Sequence, residues 1–156
     1  MRIATIAVAL LAAAACSRTV KVQTDPSTGK ADVDVGRAGA MEGWNGSLRP
    51  VGGSGISGMA RGTSGHDMTM VTVNVTGARP GAQLPWHVHE GQCGDASPPI
   101  VGPASAYPMM TVGADGTATA QAHLNLDLNE AKSYIVNVHA SPTNLGTIVS
   151  CGDYND

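Results

Sequence analysis

Apolar and polar residues alternate along much of the chain, which is typical of β-strands. In the segment 68–76, Val71, Val73 and Val75 occupy every second position, so they share one face of an extended strand. Comparable patterns predict four further strands, at 84–90, 117–124, 134–140 and 146–150. These strands are short and regularly spaced, which indicates a protein built mainly from β-structure.

Turn signals separate the predicted strands. The segment 77–81 is rich in Gly and Pro, Asp115-Gly116 marks a tight turn, and 91–107 is a long Gly- and Pro-rich loop. No apolar run reaches the roughly 18 residues that a membrane-spanning helix needs. The pattern predicts an all-β fold, an antiparallel sandwich or barrel whose single core is formed by about 110 residues.

The first sixteen residues have a different character. Arg2 precedes an apolar run at 3–15, which is too short to span a membrane and is typical of a signal peptide. The run ends in small residues directly before Cys16, and this junction resembles a bacterial lipobox. The resemblance implies that residues 1–15 are a signal peptide and that Cys16 is lipidated, so that an N-terminal lipid would be the only contact with a membrane.

Cleavage after Ala15 without lipidation is the alternative. Both hypotheses export the chain to an oxidising compartment, the bacterial periplasm or the medium. Ser17 is compatible with sorting of a lipidated chain to the outer membrane. We therefore expect a periplasmic lipoprotein anchored to the outer membrane, with secretion as the alternative.

Residues 16–41 are predicted to form a flexible tether, and residues 42–156 the folded domain. The tether is polar, contains Gly and lacks aromatic residues. Four valines between 20 and 35 alternate with polar residues around a turn, which leaves a short hairpin as the alternative. Because an isolated hairpin is marginally stable in water, the disordered tether is favoured.

The net charge excludes one class of function, and the cysteine content indicates the state of the thiols. The formal net charge is −3, which excludes the basic surface that nucleic-acid binding requires. The chain has three cysteines, and a lipidated Cys16 would leave Cys93 and Cys151. These two could pair or remain free thiols, and export favours the pair.

Histidines supply the candidate chemistry. His87 and His89 are two positions apart in a predicted strand, so both imidazoles project from one face while Trp86 and Val88 project into the core. His139 ends another predicted strand. Three imidazoles would suit copper, zinc, iron or nickel. Spacing alone does not bring His139 to the pair, and surface histidines are the alternative.

A set of short motifs resembles the copper/zinc superoxide dismutases, and in particular their divergent bacterial superoxide-dismutase-like lipoprotein branch. The order and spacing of the motifs match across roughly residues 43–153. The motifs are Pro85-Trp86-His87-Val88-His89-Glu90-Gly91, Cys93, Val101-Gly102-Pro103, Val138-His139 and Cys151-Gly152.

The resemblance implies both a fold and a site. The fold would be a Greek-key antiparallel β-barrel of about eight strands. His87, His89 and His139 would be copper ligands on its outer face, and would be catalytic if the protein is a dismutase. The resemblance also implies a Cys93–Cys151 disulfide and allows Glu90 to orient a ligand ring.

Departures from the family pattern limit the expected activity. No bridging His follows Gly102-Pro103, and the zinc-binding loop is missing, because Met109 passes almost directly into the next predicted strand. Ile148 stands where the family has an Arg that attracts superoxide, and uncharged residues replace the acidic ones that follow the last copper His. Copper is therefore the expected cofactor and zinc is not, and electrostatic steering of superoxide is weakened.

Three functional hypotheses follow. The first is an exported copper-binding protein with weak or absent dismutase activity. The second is an active copper-only superoxide dismutase that converts superoxide to dioxygen and hydrogen peroxide, and the third is a metal-free structural or interaction lipoprotein. His66 is predicted to be a loop residue, His123 a structural or surface residue, and Tyr107 to cover the site.

Overall fold

The computed structural model describes residues 19–24, 31–36 and 41–155, which form two separate compact units divided after Ala40. In the first unit, β1 (Thr19–Thr24) pairs with antiparallel β2 (Ala31–Gly36). The hairpin that we considered less favoured is therefore formed, whereas the role of this segment as a tether stays a prediction. The predicted signal peptide at 1–15 and lipidation site at Cys16 lie outside the described residues.

The second unit consists of antiparallel strands. Seven of them form one curled sheet in the order β7-β10-β11-β3-β4-β5-β9, and β6 pairs with β8. The strands are β3 (Glu42–Pro50), β4 (Ser57–Gly65), β5 (Met68–Thr76), β6 (Gln83–Leu84), β7 (Trp86–Glu90), β8 (Met110–Thr111), β9 (Ala118–Leu124), β10 (Tyr134–Ser141) and β11 (Asn144–Tyr154). The predicted all-β antiparallel barrel or sandwich is confirmed.

Two predicted strand boundaries are wrong. The segment 84–90 is split at Pro85, which lies between β6 and β7 and has no N–H to donate to a sheet. The strand predicted at 146–150 extends instead over Asn144–Tyr154. Within the described residues, the only helical segment is a 3-10 turn at Ala104–Ala106, and no helix there is long and apolar enough to cross a membrane.

The inward-facing side chains of the strands form the hydrophobic core. Val71, Val73 and Val75 of β5 are almost completely buried, as their alternation predicted. Trp86 and Val88 of β7 are also buried in this core. Full burial of each such side chain stabilises the fold by about 1.5–3 kcal/mol. Because these residues fix which face of β7 points inward, they also fix the direction of the residues between them.

A disulfide joins Cys93, in the loop after β7, to Cys151 in β11. The two cysteines are 58 positions apart in the sequence. Closing a loop of this length contributes about 4 kcal/mol in the chain-entropy treatment. The bond fastens the start of the long loop 91–109 to the sheet.

A pair of strand glycines tests how tightly the sheet packs. A Cβ at Gly62 would collide with the backbone carbonyl of Met70 and the hydroxyl of Tyr154, whereas a Cβ at Gly43 would meet nothing within 4 Å. We expect Gly62→Ala to lower the free energy of unfolding by about 1–3 kcal/mol through overpacking. Gly43→Ala should leave it unchanged or raise it by about 0.5–1 kcal/mol. Urea denaturation checks both variants, and equal stability of the two would contradict the packing described.

Candidate metal centre

Three histidines from two neighbouring strands converge on one point. His87 and His89 belong to β7, and His139 belongs to β10. In the antiparallel register, His87 lies opposite Asn137, and the N–H of His139 donates to the carbonyl of Pro85 just before β7. One ring nitrogen from each histidine lies within 4.8 Å of the other two. Strand pairing therefore supplies the proximity that sequence spacing did not.

The three imidazoles are on the outer face of the sheet and yet are buried. The relative exposures of His87, His89 and His139 are 7%, 6% and 5%. Tyr107 covers one side, because its ring meets the His87 ring edge-on with 5.2 Å between centroids. Its hydroxyl donates to the carbonyl of Val101 at 2.7 Å, and burial raises the pKa of this phenol well above its ordinary value. The covering role predicted for Tyr107 agrees with these contacts.

Two backbone carbonyls fix the orientation of the rings. Nδ1 of His89 lies 2.8 Å from the carbonyl oxygen of Pro98, and Nδ1 of His139 lies 2.6 Å from that of Leu145. A carbonyl oxygen only accepts, so each Nδ1 carries the proton and donates it. Nε2 of both rings is therefore unprotonated, which is the form that binds metal ions.

The remaining nitrogens show where an ion fits. Nε2 of His89 is buried and has no hydrogen-bond partner within the described residues. Nε2 of His139 lies 3.0 Å from Nδ1 of His87, so in the metal-free protein the His87 N–H donates to it. A metal ion would take Nδ1 of His87 together with Nε2 of His89 and His139, and the His87 proton would then sit on Nε2 of its own ring. An unpartnered buried nitrogen and two Nε2 atoms that are already held unprotonated suit a metal ion.

The electrostatics keep the rings neutral. Burial, together with smaller contributions from the neighbouring rings of His139 and His89, lowers the pKa of His87 to about 4. Burial also lowers the pKa of His89 and of His139, against a smaller opposing effect of the carbonyls to which they donate. Neutral imidazole is the metal-binding form, so all three rings are ready to bind at pH 7.

Other predicted residues take different positions. The Glu90 carboxylate pairs with Lys132 Nζ at 2.7 Å and forms no hydrogen bond with the three rings. The orienting role predicted for Glu90 is instead filled by the two carbonyls. His66 lies in the exposed turn between β4 and β5, and His123 is exposed on β9, as predicted.

A cavity of about 660 Å³ lies beside the three histidines. His89 and His139 contribute to its wall, as do Asn137 and the Cys93–Cys151 disulfide. Among the residues that line it, none is a Lys or Arg, and Asp95 is the only acidic residue. Pro98, Leu145 and Asn137 could not be recognised as site residues from the sequence, because backbone acceptors and a single amide carry no recognisable motif.

Comparisons with known proteins assign no family. No protein-family model matches the chain, and no curated protein matches it either. The site is therefore interpreted from its own geometry: three buried, neutral histidines that could hold one metal ion.

The lowered pKa values predict how the stability of the metal-free protein depends on pH. Between the ordinary value of 6.5 and about 4 for His87, the unfolded chain binds more protons than the folded one. The free energy of unfolding should therefore fall as the pH decreases through this window, and these groups should not change it above pH 7.5, roughly one unit above the unfolded pKa. Urea denaturation of the metal-free protein at several pH values measures this.

The matched variants are His87→Asn and His123→Gln. The first removes one of the buried rings and should make the decrease shallower, whereas the second alters an exposed ring outside the group and should retain the wild-type slope. A His87→Asn profile as steep as that of the wild type would contradict the assignment of the slope to the buried rings.

Proposed function

We propose that the chain is an exported, superoxide-dismutase-like protein that binds one copper ion through His87, His89 and His139. Its role would be to buffer, store or pass on copper, with weak or absent dismutase turnover. The observation that carries this proposal is the convergence of three buried imidazoles, two of which are held with Nε2 unprotonated by backbone hydrogen bonds.

The donor set favours copper. The group contains only imidazoles, and Cys93 and Cys151 are joined to each other, so they offer no thiolate. Among divalent first-row ions, sites of nitrogen ligands bind copper most tightly, and zinc less so. The resemblance of the His87–His89 and His139 motifs to the copper ligands of the dismutases points the same way.

Export is supported by two independent features. A disulfide between Cys93 and Cys151 is typical of proteins in oxidising compartments. The apolar run that ends at Cys16 resembles a lipoprotein signal peptide. A periplasmic location, with a lipid on Cys16 as anchor, is the proposal that combines them.

The surroundings of the site argue against fast dismutation. Copper would supply the one-electron redox chemistry, and conversion of superoxide to hydrogen peroxide also consumes two protons. The ring protons of His89 and His139 are committed to carbonyls, and Glu90 is paired with Lys132. Without a Lys or Arg in the cavity wall, attraction of an anion is weak. Loss of a positioned proton donor typically lowers a rate by about 10²–10⁴-fold.

Copper titration tests the binding site directly. We expect the wild-type protein and the control His123→Ala to bind one copper ion per chain. His139→Ala should lose at least about 10–100-fold in affinity, since removing a ligand costs no less than removing a group that orients one. Competition with a chromophoric chelator measures the affinity. Unchanged affinity in His139→Ala would refute the site, and absence of copper binding by the wild type would favour a metal-free structural protein.

A dismutase assay tests the second part of the proposal. The copper-loaded protein should turn over superoxide at least about 10²-fold more slowly than an authentic copper/zinc enzyme, because a positioned proton donor is missing. The metal-free protein serves as the background control. A rate near that of the authentic enzyme would show an active copper-only dismutase instead.

A further inference from the structure

Asn137 is a buried polar residue at the metal centre that the binding of copper does not use. It lies on β10 between His87 of β7 and Cys151 of β11, directly opposite both in the sheet register. Its relative exposure is 5%, and its side chain borders the cavity beside His89 and His139. Within the described residues, the side-chain amide forms no hydrogen bond.

Within the described residues, the fully buried side-chain atoms that lack a hydrogen-bond partner are Nε1 of Trp44, Nε2 of His89 and the hydroxyl of Tyr154. The Asn137 amide is not among them, because it is reached from the cavity that it lines. Its oxygen and its NH₂ group are therefore free to accept from and donate to a molecule in the cavity.

The cavity wall indicates the chemical class of that partner. Val51, Leu145 and Ile148 line the cavity with apolar side chains, and no Lys or Arg does. The carboxylate of Asp95 is part of the wall and accepts a hydrogen bond from the N–H of Gln92. An anion placed here would be repelled by Asp95 and attracted only by a metal ion, whereas a neutral molecule would gain apolar contacts.

The volume points to a molecule larger than a diatomic or triatomic ion. At about 660 Å³, the cavity lies within the range of about 300–1,000 Å³ that is typical of small-molecule sites. Its wall includes His89 and His139, so an occupant can reach a metal ion held there and the Asn137 amide together.

We propose that this cavity binds a small uncharged molecule, with one nitrogen or sulfur donor toward the metal and a polar group hydrogen-bonded to the Asn137 amide. The inference rests on the proposed copper function and adds to it a ligand class and a specificity-determining residue. Asn137 orients the ligand, and Val51, Leu145 and Ile148 contact its apolar body.

Imidazole and N-methylimidazole are matched probes, because both are neutral nitrogen donors and only imidazole has an N–H to donate to Asn137 Oδ1. We expect copper(II)-loaded wild type at pH 8 to bind imidazole more tightly than N-methylimidazole. Asn137→Leu should lower the affinity for imidazole by about three- to tenfold, which corresponds to the loss of one net hydrogen bond. The affinity for N-methylimidazole should stay unchanged. Electron paramagnetic resonance and visible absorbance measure both affinities.

Azide tests the preference for uncharged ligands. Wild type should bind imidazole at least about tenfold more tightly than azide. Val51→Lys places a cation in the wall and should strengthen azide binding, whereas Val51→Met, of similar length and without charge, should not. Tighter binding of azide than of imidazole by the wild type would overturn the inference.

The amount of copper bound per protein chain is measured in every sample, so that the two proposals can be tested separately. If copper does not bind, both the proposed function and this inference are refuted. If copper stays bound while Asn137→Leu weakens both imidazoles equally, only the inference fails. Loss of copper from the protein before any spectral change would likewise show that the cavity does not hold the ligand.

Discussion

The antiparallel pairing of β7 with β10 is the interaction on which the metal centre depends. A shift of one residue in this register would turn the histidines of one strand into the core, because side chains alternate between the two faces. The register is held by burial on the opposite face, where Trp86 and Val88 of β7 and Val136 and Val138 of β10 fill the core. Apolar packing inside the barrel thus determines the position of three polar rings outside it.

The next level of organisation lies in the backbone carbonyls that hold these rings. Pro98 belongs to the loop after β7 and Leu145 to the start of β11, and their carbonyls accept from the protonated ring nitrogens of His89 and His139. The Cys93–Cys151 disulfide fastens the loop after β7 to β11. A covalent bond that is stable in an oxidising compartment therefore supports the orientation of a candidate metal ligand.

Much of the fold follows from local physical rules. The alternating valines of β5 and the His87–His89 pair showed which residues share a face, because the period of a strand is two. The break at Pro85 and the length of β11 were missed, since both depend on which backbone groups find partners in the sheet. The orienting carbonyls of Pro98 and Leu145 could not be predicted, because every residue has a carbonyl and only the folded chain selects among them.

The departures from the dismutase pattern give the site its character. With Ile148 opposite His139 and no Lys or Arg in the cavity wall, Asp95 is the only charged residue that lines the cavity beside the three histidines. Such surroundings suit retention of copper and the binding of an uncharged ligand more than rapid turnover of an anion. The amide of Asn137 lines the same cavity and forms no hydrogen bond with another described residue.

The central claim is that one copper ion binds Nδ1 of His87 and Nε2 of His89 and His139. Nitrogen-15 magnetic resonance of the copper(I)-loaded, histidine-labelled protein tests it most directly. The account predicts coordination shifts at one Nδ1 and two Nε2 atoms, all from these three residues, with the signals of His66 and His123 unchanged. Coordination through Nε2 of all three rings, or shifts at His66 or His123, would contradict it.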